Sequence, residues 1–394
     1  MRKRIVQLGG GVWMMDSIRQ IQRLGYEVHC LDMNPNAPAF SVADACSAIN
    51  ISDTRAVVAY AQSIHADAVL ALNDLGVLPA ATYNRSIGLD CYDPSEVKYF
   101  TDKGHMRERW QARGVSQPAF RICDSRESME QAIREIGFPC IVKPCMMWGS
   151  RGVSKVNSPE DMAFSMDFAI QCAQGNRYIV EECMTGVEVS VEGLFQKGQA
   201  HILALADKEL QQHEQYRVTV QINYQADLPE HLLQETKALV AQAGEAMGFR
   251  SGALHAECMV TSDGVKMIEM AGRPGGGHIF GSIVEAVSGI SMPRALTCIL
   301  LGEDLDLTPT QHRGACYKFF NAPEGVFKEV HDLESARNAE GVMDIGFNLA
   351  SGTLVTTMNH GANRPGFVVT QGSSRAEAMS NAERAYRTLR FEMT

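Results

Sequence analysis

The stretch from Gly252 to His278 limits what this chain can fold into more than any other. It reads G-A-L-H-A-E-C-M-V, then T-S-D-G, then V-K-M-I-E-M, then A-G-R-P-G-G-G-H. Two apolar runs of strand length flank a Ser262-Asp263-Gly264 turn signal, which predicts a β-hairpin with one carboxylate per strand, Glu257 and Glu269. A three-residue loop of Ser262, Asp263 and Gly264, with Gly264 left-handed, sets Glu257 directly across from Glu269, their Cβ atoms roughly 5 Å apart. A two-residue Asp263-Gly264 turn would put the two side chains on opposite faces. In the first register the like charges repel unless a cation sits between them, and the hard ion Mg2+ favours carboxylate oxygens. Glu257 and Glu269 are therefore the candidate metal ligands.

Arg273 follows, and then Pro274-Gly275-Gly276-Gly277-His278. A guanidinium beside a dicarboxylate site can hold a transferring phosphoryl group or a developing oxyanion, and the glycines let a ligand approach the backbone. The alternative is a surface arginine before a flexible loop. E-M-A-G-R-P-G-G-G-H resembles the C-terminal metal and substrate motif of the ATP-grasp ligases, and within that superfamily the L-amino acid ligases and their carnosine-synthase-like relatives. The resemblance implies an α/β and α+β chain. It would have a Rossmann-like domain over residues 1–97, an ATP-grasp domain over 98–302 with a lid over about 120–185, and a C-terminal antiparallel-sheet domain over 303–394.

A chain of 394 residues, 45% hydrophobic and 21% charged, is long enough for two or three domains with a substantial core. Its formal net charge of -10, without a long Lys/Arg run, argues against nucleic acid or an anionic membrane as partner. Eleven cysteines without a C-x-x-C pair fit reduced thiols in the cytoplasm rather than a disulfide framework or a zinc site. Met1-Arg2-Lys3-Arg4 resembles the start of a signal peptide, but Gln7 and Gly9-Gly10-Gly11 interrupt the apolar core such a peptide needs. No window approaches the length of a membrane span.

Arg4–Leu8 and Val28–Leu31 read as strands, with a glycine turn at Gly9–Gly11 and a helix over Met14–Leu24 between them. Asp32 lies at dinucleotide-binding spacing from the glycines, so an NAD-dependent oxidoreductase is an alternative of a different class. The fingerprint lacks the glycine that brings helix and strand close, which weighs against it. Asn73 and Asp74, at a strand end, can face a substrate.

Lys103 stands near the start of a helix, where a cation gains from an anion such as phosphate. A solvated lysine is the plainer alternative; the resemblance implies a nucleotide-phosphate contact. Lys143 ends a short buried strand and precedes a glycine-bearing loop whose N–H groups and Ser150 can cradle phosphate. The resemblance makes Lys143 a catalytic and ATP-binding lysine and residues 145–152 the lid loop. Met146, Met147 and Trp148 stand there where many relatives carry smaller residues. By the same carry-over, Glu181, Glu182 and Met184 form the adenine hinge, Glu188 meets the ribose, and Lys208 points toward the phosphates. Residues 209–229 are polar and read as a substrate-facing loop, with His213, Arg217 and Tyr224 as inward-facing candidates.

The resemblance thus implies a ligase that forms carbon–nitrogen bonds between small amino or carboxylic acids through an acyl phosphate, using ATP. It implies Mg2+, one ion or two, with Mn2+ as a substitute. Arg273 would be catalytic, and Gly275, Gly276, Gly277 and His278 would join it in binding substrate. Ala271 stands where many members carry a metal-ligating Asn, which puts a second ion in doubt. A biotin-carboxylase-like or purine-pathway ligase is the nearest alternative, and a homodimer is left open.

Overall fold

The computed structural model describes residues 2–147, 149–211, 213, 216 and 218–394. Four parallel strands come first: β1 (Arg4–Leu8), β2 (Glu27–Asp32), β3 (Ala45–Ala48) and β4 (Ala68–Ala71), in the order β3-β2-β1-β4. Ile5, Val6, Leu8, Val28, Cys30 and Leu31 are all buried, as expected when helices cover both faces of a parallel sheet. Asp32 accepts hydrogen bonds from Gly10 N (2.8 Å) and Asn34 N (2.8 Å), so its carboxylate fastens the chain's own turn.

A second sheet contains β5 (Phe120–Cys123), β6 (Cys140–Pro144), β7 (Ser154–Val156) and β8 (Tyr178–Glu182), in the order β5-β8-β6-β7. Helices Arg126–Ile136 and Met162–Cys172 pack on it through Met129, Ile133 and Met166, which form an apolar core of its own.

The remaining strands are β9 (Val187–Gln196), β10 (Gln199–Leu210), β11 (Thr219–Tyr224), β12 (Gly252–Thr261), β13 (Gly264–Ala271), β14 (Gly314–Phe319), β15 (Gly325–His331), β16 (Val342–Phe347), β17 (Leu354–Val355), β18 (Gly366–Gly372) and β19 (Arg390–Met393). Eight of them form one antiparallel sheet in the order β13-β12-β9-β10-β11-β14-β18-β16; β17-β15-β19 form a small separate one. One apolar cluster runs from Ile5 and Ile18 through Ile283 and Leu296 to Val369, so the first sheet and the large sheet share a core. The fold is ATP-grasp, α/β at the N-terminal parallel sheet and antiparallel beyond it.

One local expectation changes. The stretch 209–229 is no plain loop, since β11 runs through it between β10 and β14. Arg217 and Trp148 lie outside the described residues. Among the described residues no single helix is long and apolar enough to cross a membrane.

Candidate active site

Glu257 pairs with Glu269 across β12 and β13, but by a different route from the expected one. The turn has two residues, Ser262 and Asp263, with Thr261 paired to Gly264. That turn alone would oppose Glu257 to Ile268. A β-bulge between the Glu257 and Met267 pairings leaves Ile268 as an extra residue on β13 and slides Glu269 into register.

The acidic pair also has cationic neighbours. Lys208 Nζ contacts Glu257 and lies 3.1 Å from Glu188, while Lys103 Nζ lies 3.1 Å from Glu269. These ammonium groups offset the repulsion between the two carboxylates. Burial raises the Glu257 carboxyl, but Lys208 and His255 outweigh it and hold it well below the usual range. Two carboxylates side by side on paired strands fit the hard-ligand chemistry of Mg2+.

The cleft holds about 670 Å³. Ile141, Cys183, Met184, Met259 and Ile268 line it with Lys143; Lys208, Glu257, Glu269 and Arg273 line it too, as do Tyr317, Phe319, Phe367 and Arg364. Apolar side chains beside lysines suit an adenine ring followed by phosphates. Lys103 starts helix Lys103–Ala112, which Asp102 caps by accepting from His105 N (2.9 Å). The Lys103 ammonium also donates to Met147 O (2.6 Å) in the loop after β6. Ser150 sits in that loop at φ 60° and lines the cleft.

Glu181 lines the cleft with the rest of the expected hinge. Its carboxylate is turned to the protein, accepting from Arg107 Nε (3.1 Å) and Nη2 (2.9 Å) and contacting Lys143. Burial raises its carboxyl, and Arg107 and then Lys143 more than reverse this, leaving it below the usual range. Its role in a nucleotide site would be to hold Lys143. Glu182 and Met184 line the cleft, and the ladder of β8 ends at Glu182.

Arg273 lies 3.0 Å from Asp74, which begins helix Asp74–Ser86; burial lowers its pKa but Asp74 raises it further. The glycine loop splits. Gly276 and Gly277 line the cleft, whereas Gly275 N donates to Glu192 (3.1 Å), and a Cβ there would meet both Glu192 oxygens at 2.8 Å. His278 does not line it, contrary to expectation. Its ring packs 4.7 Å from Phe367, with Nε2 3.3 Å from Asp344, and burial lowers its pKa despite that acid.

Four participants escaped the sequence analysis. Arg107 holds Glu181; Glu192 and His255 stand beside the acidic pair; Arg364 stacks 3.6 Å over the Phe319 ring. Among the described residues the buried Nε of Arg364 has no hydrogen-bond partner, and burial pushes the guanidinium pKa down to about 10. A signal existed for two of them: Glu188, Ser190 and Glu192, and likewise His255 and Glu257, recur at every second strand position, a polar row on one face.

Residues 136–281 match the family model of the ATP-grasp domain, and residues 318–394 match that of L-amino acid ligase C-terminal domain 2. The chain is 25% identical over 406 aligned positions to a formate-dependent phosphoribosylglycinamide formyltransferase of Actinobacillus pleuropneumoniae serotype 3 (strain JL03), covering 99% of this chain and 97% of that protein. In structure it resembles an L-amino acid ligase from Bacillus licheniformis (TM-score 0.85, 18% identity, 100% and 99% coverage). It also resembles the biotin carboxylase domain of Hydrogenobacter thermophilus 2-oxoglutarate carboxylase, solved with MgADP, ADP and bicarbonate (TM-score 0.76, 16% identity, 100% and 91% coverage). At these identities the structural likenesses establish the fold. The chain belongs to the ATP-grasp superfamily of ATP-dependent ligases. Its C-terminal part carries the domain named for the L-amino acid ligases.

Proposed function

We propose that the chain joins two small amino or carboxylic acids through an amide bond at the expense of ATP. The observation that carries this is the opposed pair Glu257 and Glu269 with Arg273 on the same cleft. A carboxylate does not react with an amine at neutral pH. One substrate carboxylate oxygen attacks the γ-phosphorus of ATP, the bond to the β-γ bridging oxygen breaks, and ADP departs. The amine nitrogen then attacks the acyl phosphate carbon and loses a proton, and phosphate leaves with the C–O electron pair.

Lys103, Lys143 and Lys208 balance the triphosphate. Ser150 and the loop around it cover it, Ile141, Met184 and Ile268 clasp the adenine, and Glu188 meets the ribose. Mg2+ between Glu257 and Glu269 would stabilise charge on the phosphoryl oxygens in flight. Arg273, held by Asp74, points at the oxyanion of the tetrahedral intermediate, where one donor is worth roughly 3 kcal/mol. Arg364 supplies a cation for a substrate's spectator anion. Closure of the second sheet with its loop keeps water, which competes with the amine, off the acyl phosphate.

The C-terminal match and the likeness to the Bacillus ligase support amino acid substrates. Whole-length similarity to the formyltransferase favours a second reading, a purine-pathway ligase using formate. A phosphate-release screen over amino acid pairs, and over formate with phosphoribosylglycinamide, separates the two when products are identified by mass. Glu269→Gln is expected to reduce release to background with an unchanged circular dichroism spectrum; near-wild-type turnover would refute the site.

A further inference from the structure

Glu192 lies on β9 with its side chain fully buried, next to the metal carboxylates but not one of them. One of its oxygens accepts from Ser190 Oγ (3.0 Å) and from His255 Nδ1 (2.6 Å), and the other accepts from Gly275 N (3.1 Å). The far nitrogen of His255, Nε2, stands 3.5 Å from Glu257 Oε1. A continuous chain of polar contacts thus runs from Glu257 through His255 and Glu192 to the backbone of the loop that follows Arg273. The contact at the loop end is close: only glycine can occupy position 275, since a Cβ there would meet the carboxylate oxygens. The next two residues, Gly276 and Gly277, line the cleft, Gly277 beside the Tyr317 hydroxyl.

We propose that Glu192 is a positioning residue that couples occupancy of the Glu257–Glu269 site to the placement of the Gly275–Gly277 loop against the substrate. This rests on the ligase reading of that site. Whatever seats Glu257 also seats the imidazole, because the imidazole is held at both nitrogens by carboxylates. The imidazole in turn fixes one Glu192 oxygen, and the other Glu192 oxygen fixes the loop. A purely structural Glu192 would stabilise the loop equally with or without nucleotide; a coupling Glu192 makes the loop tighten when MgADP arrives.

The test is amide hydrogen exchange in peptides spanning residues 272–280, with and without MgADP, in the full-length wild type, Glu192→Gln and His255→Gln. MgADP binding is measured separately by calorimetry. In the wild type, MgADP is expected to slow exchange in this loop at least ten-fold. With MgADP saturating by calorimetry, loop exchange is expected to stay unchanged in both variants. In turnover Glu192→Gln, which touches neither Glu257 nor Glu269, is expected to raise KM for the carboxylate substrate ten-fold or more, with KM for ATP held. MgADP slowing loop exchange as much in the variants as in the wild type would overturn the coupling, as would wild-type loop exchange indifferent to bound MgADP. His255→Gln, which leaves Glu192 in place, keeps the test decisive if Glu192→Gln fails to fold. A wild type that binds no MgADP would sink the ligase reading itself and this inference with it.

Discussion

Replacing Glu181 by Gln tests the assignment of its carboxylate as the holder of Lys143. Glu181 is 4% exposed, Arg107 1% and Lys143 5%, so the variant leaves two buried cations beside a neutral amide. Breaking a buried ion pair from one side costs about 3–5 kcal/mol, because the remaining charge keeps its desolvation penalty. Arg107 also donates to Met267 O (3.1 Å) on β13, so the triad ties helix Lys103–Ala112 to both the four-stranded second sheet and the eight-stranded one. With a urea m-value of about 3 kcal/mol/M, the unfolding midpoint should fall by roughly 1 to 1.7 M. The acid limb gives a second check. The folded-state pKa of Glu181 is depressed, so its contribution is present above the unfolded carboxyl pKa of about 4.3 and fades as pH falls below that. The gap between wild type and variant should therefore be full at neutral pH and close below pH ~4. Lys143→Met is the contrast: Arg107 still satisfies Glu181, so the stability loss is smaller, while nucleotide affinity falls about ten- to hundred-fold for one lost charged contact. A Glu181→Gln midpoint within 0.3 M of wild type, a bound of about one-third of the smallest expected shift, would refute the holding role.

His255 offers a pH dependence of the opposite sign. Burial lowers its pKa, but Glu192 raises it to about 9, so its contribution is complete below pH 6.5 and is lost as pH rises through 9. A shift of that size corresponds to about 3 kcal/mol. Without metal, the wild type should lose more urea resistance between pH 6.5 and 9.5 than His255→Gln; parallel losses would count against the pair. Gly277 adopts φ 65°, and a Cβ there would meet the Tyr317 hydroxyl at 2.5 Å. Gly277→Ala should therefore raise KM for substrate several-fold with little change in nucleotide affinity measured by calorimetry.

The hairpin was legible because strand pattern and residue chemistry agree there: acids at positions 257 and 269, mostly apolar runs on either side of a Ser262-Asp263-Gly264 turn, and glycines after. Its bulge was not, since nothing in V-K-M-I-E-M marks Ile268 as the residue left unpaired. β11 stayed hidden for a different reason. Its polar residues Gln221 and Asn223 look like solvent-facing positions, yet both are buried. Gln221 Nε2 and Asn223 Nδ2 donate to Glu209, and Lys318 Nζ donates to Gln221 (3.0 Å). Arg107 likewise reads as a solvated helix residue, because a buried arginine can be recognised only once its carboxylate partner, 74 positions away, is placed beside it.

The same pairing explains how the cleft tolerates its charges before a nucleotide arrives. Lys103 faces Glu269, Lys143 faces Glu181, Lys208 faces Glu257 and Glu188, and Arg273 faces Asp74. A cleft built for a polyanion and a divalent cation must otherwise hold like charges at close range, at a cost of several kcal/mol per uncompensated ion. On the proposed reading, ligand binding is an exchange of partners. The carboxylates at 257 and 269 turn to the divalent ion, and the ammonium groups they release turn to the phosphates. Lys143 is the exception. Glu181 is shared with Arg107, so one positive charge in that triad has no acid of its own, and Lys143 can meet a phosphate without giving up Glu181. The strand lysine can therefore be pre-set, while Lys103 and Lys208 become available only as the metal is seated. That asymmetry makes nucleotide affinity depend steeply on the divalent ion.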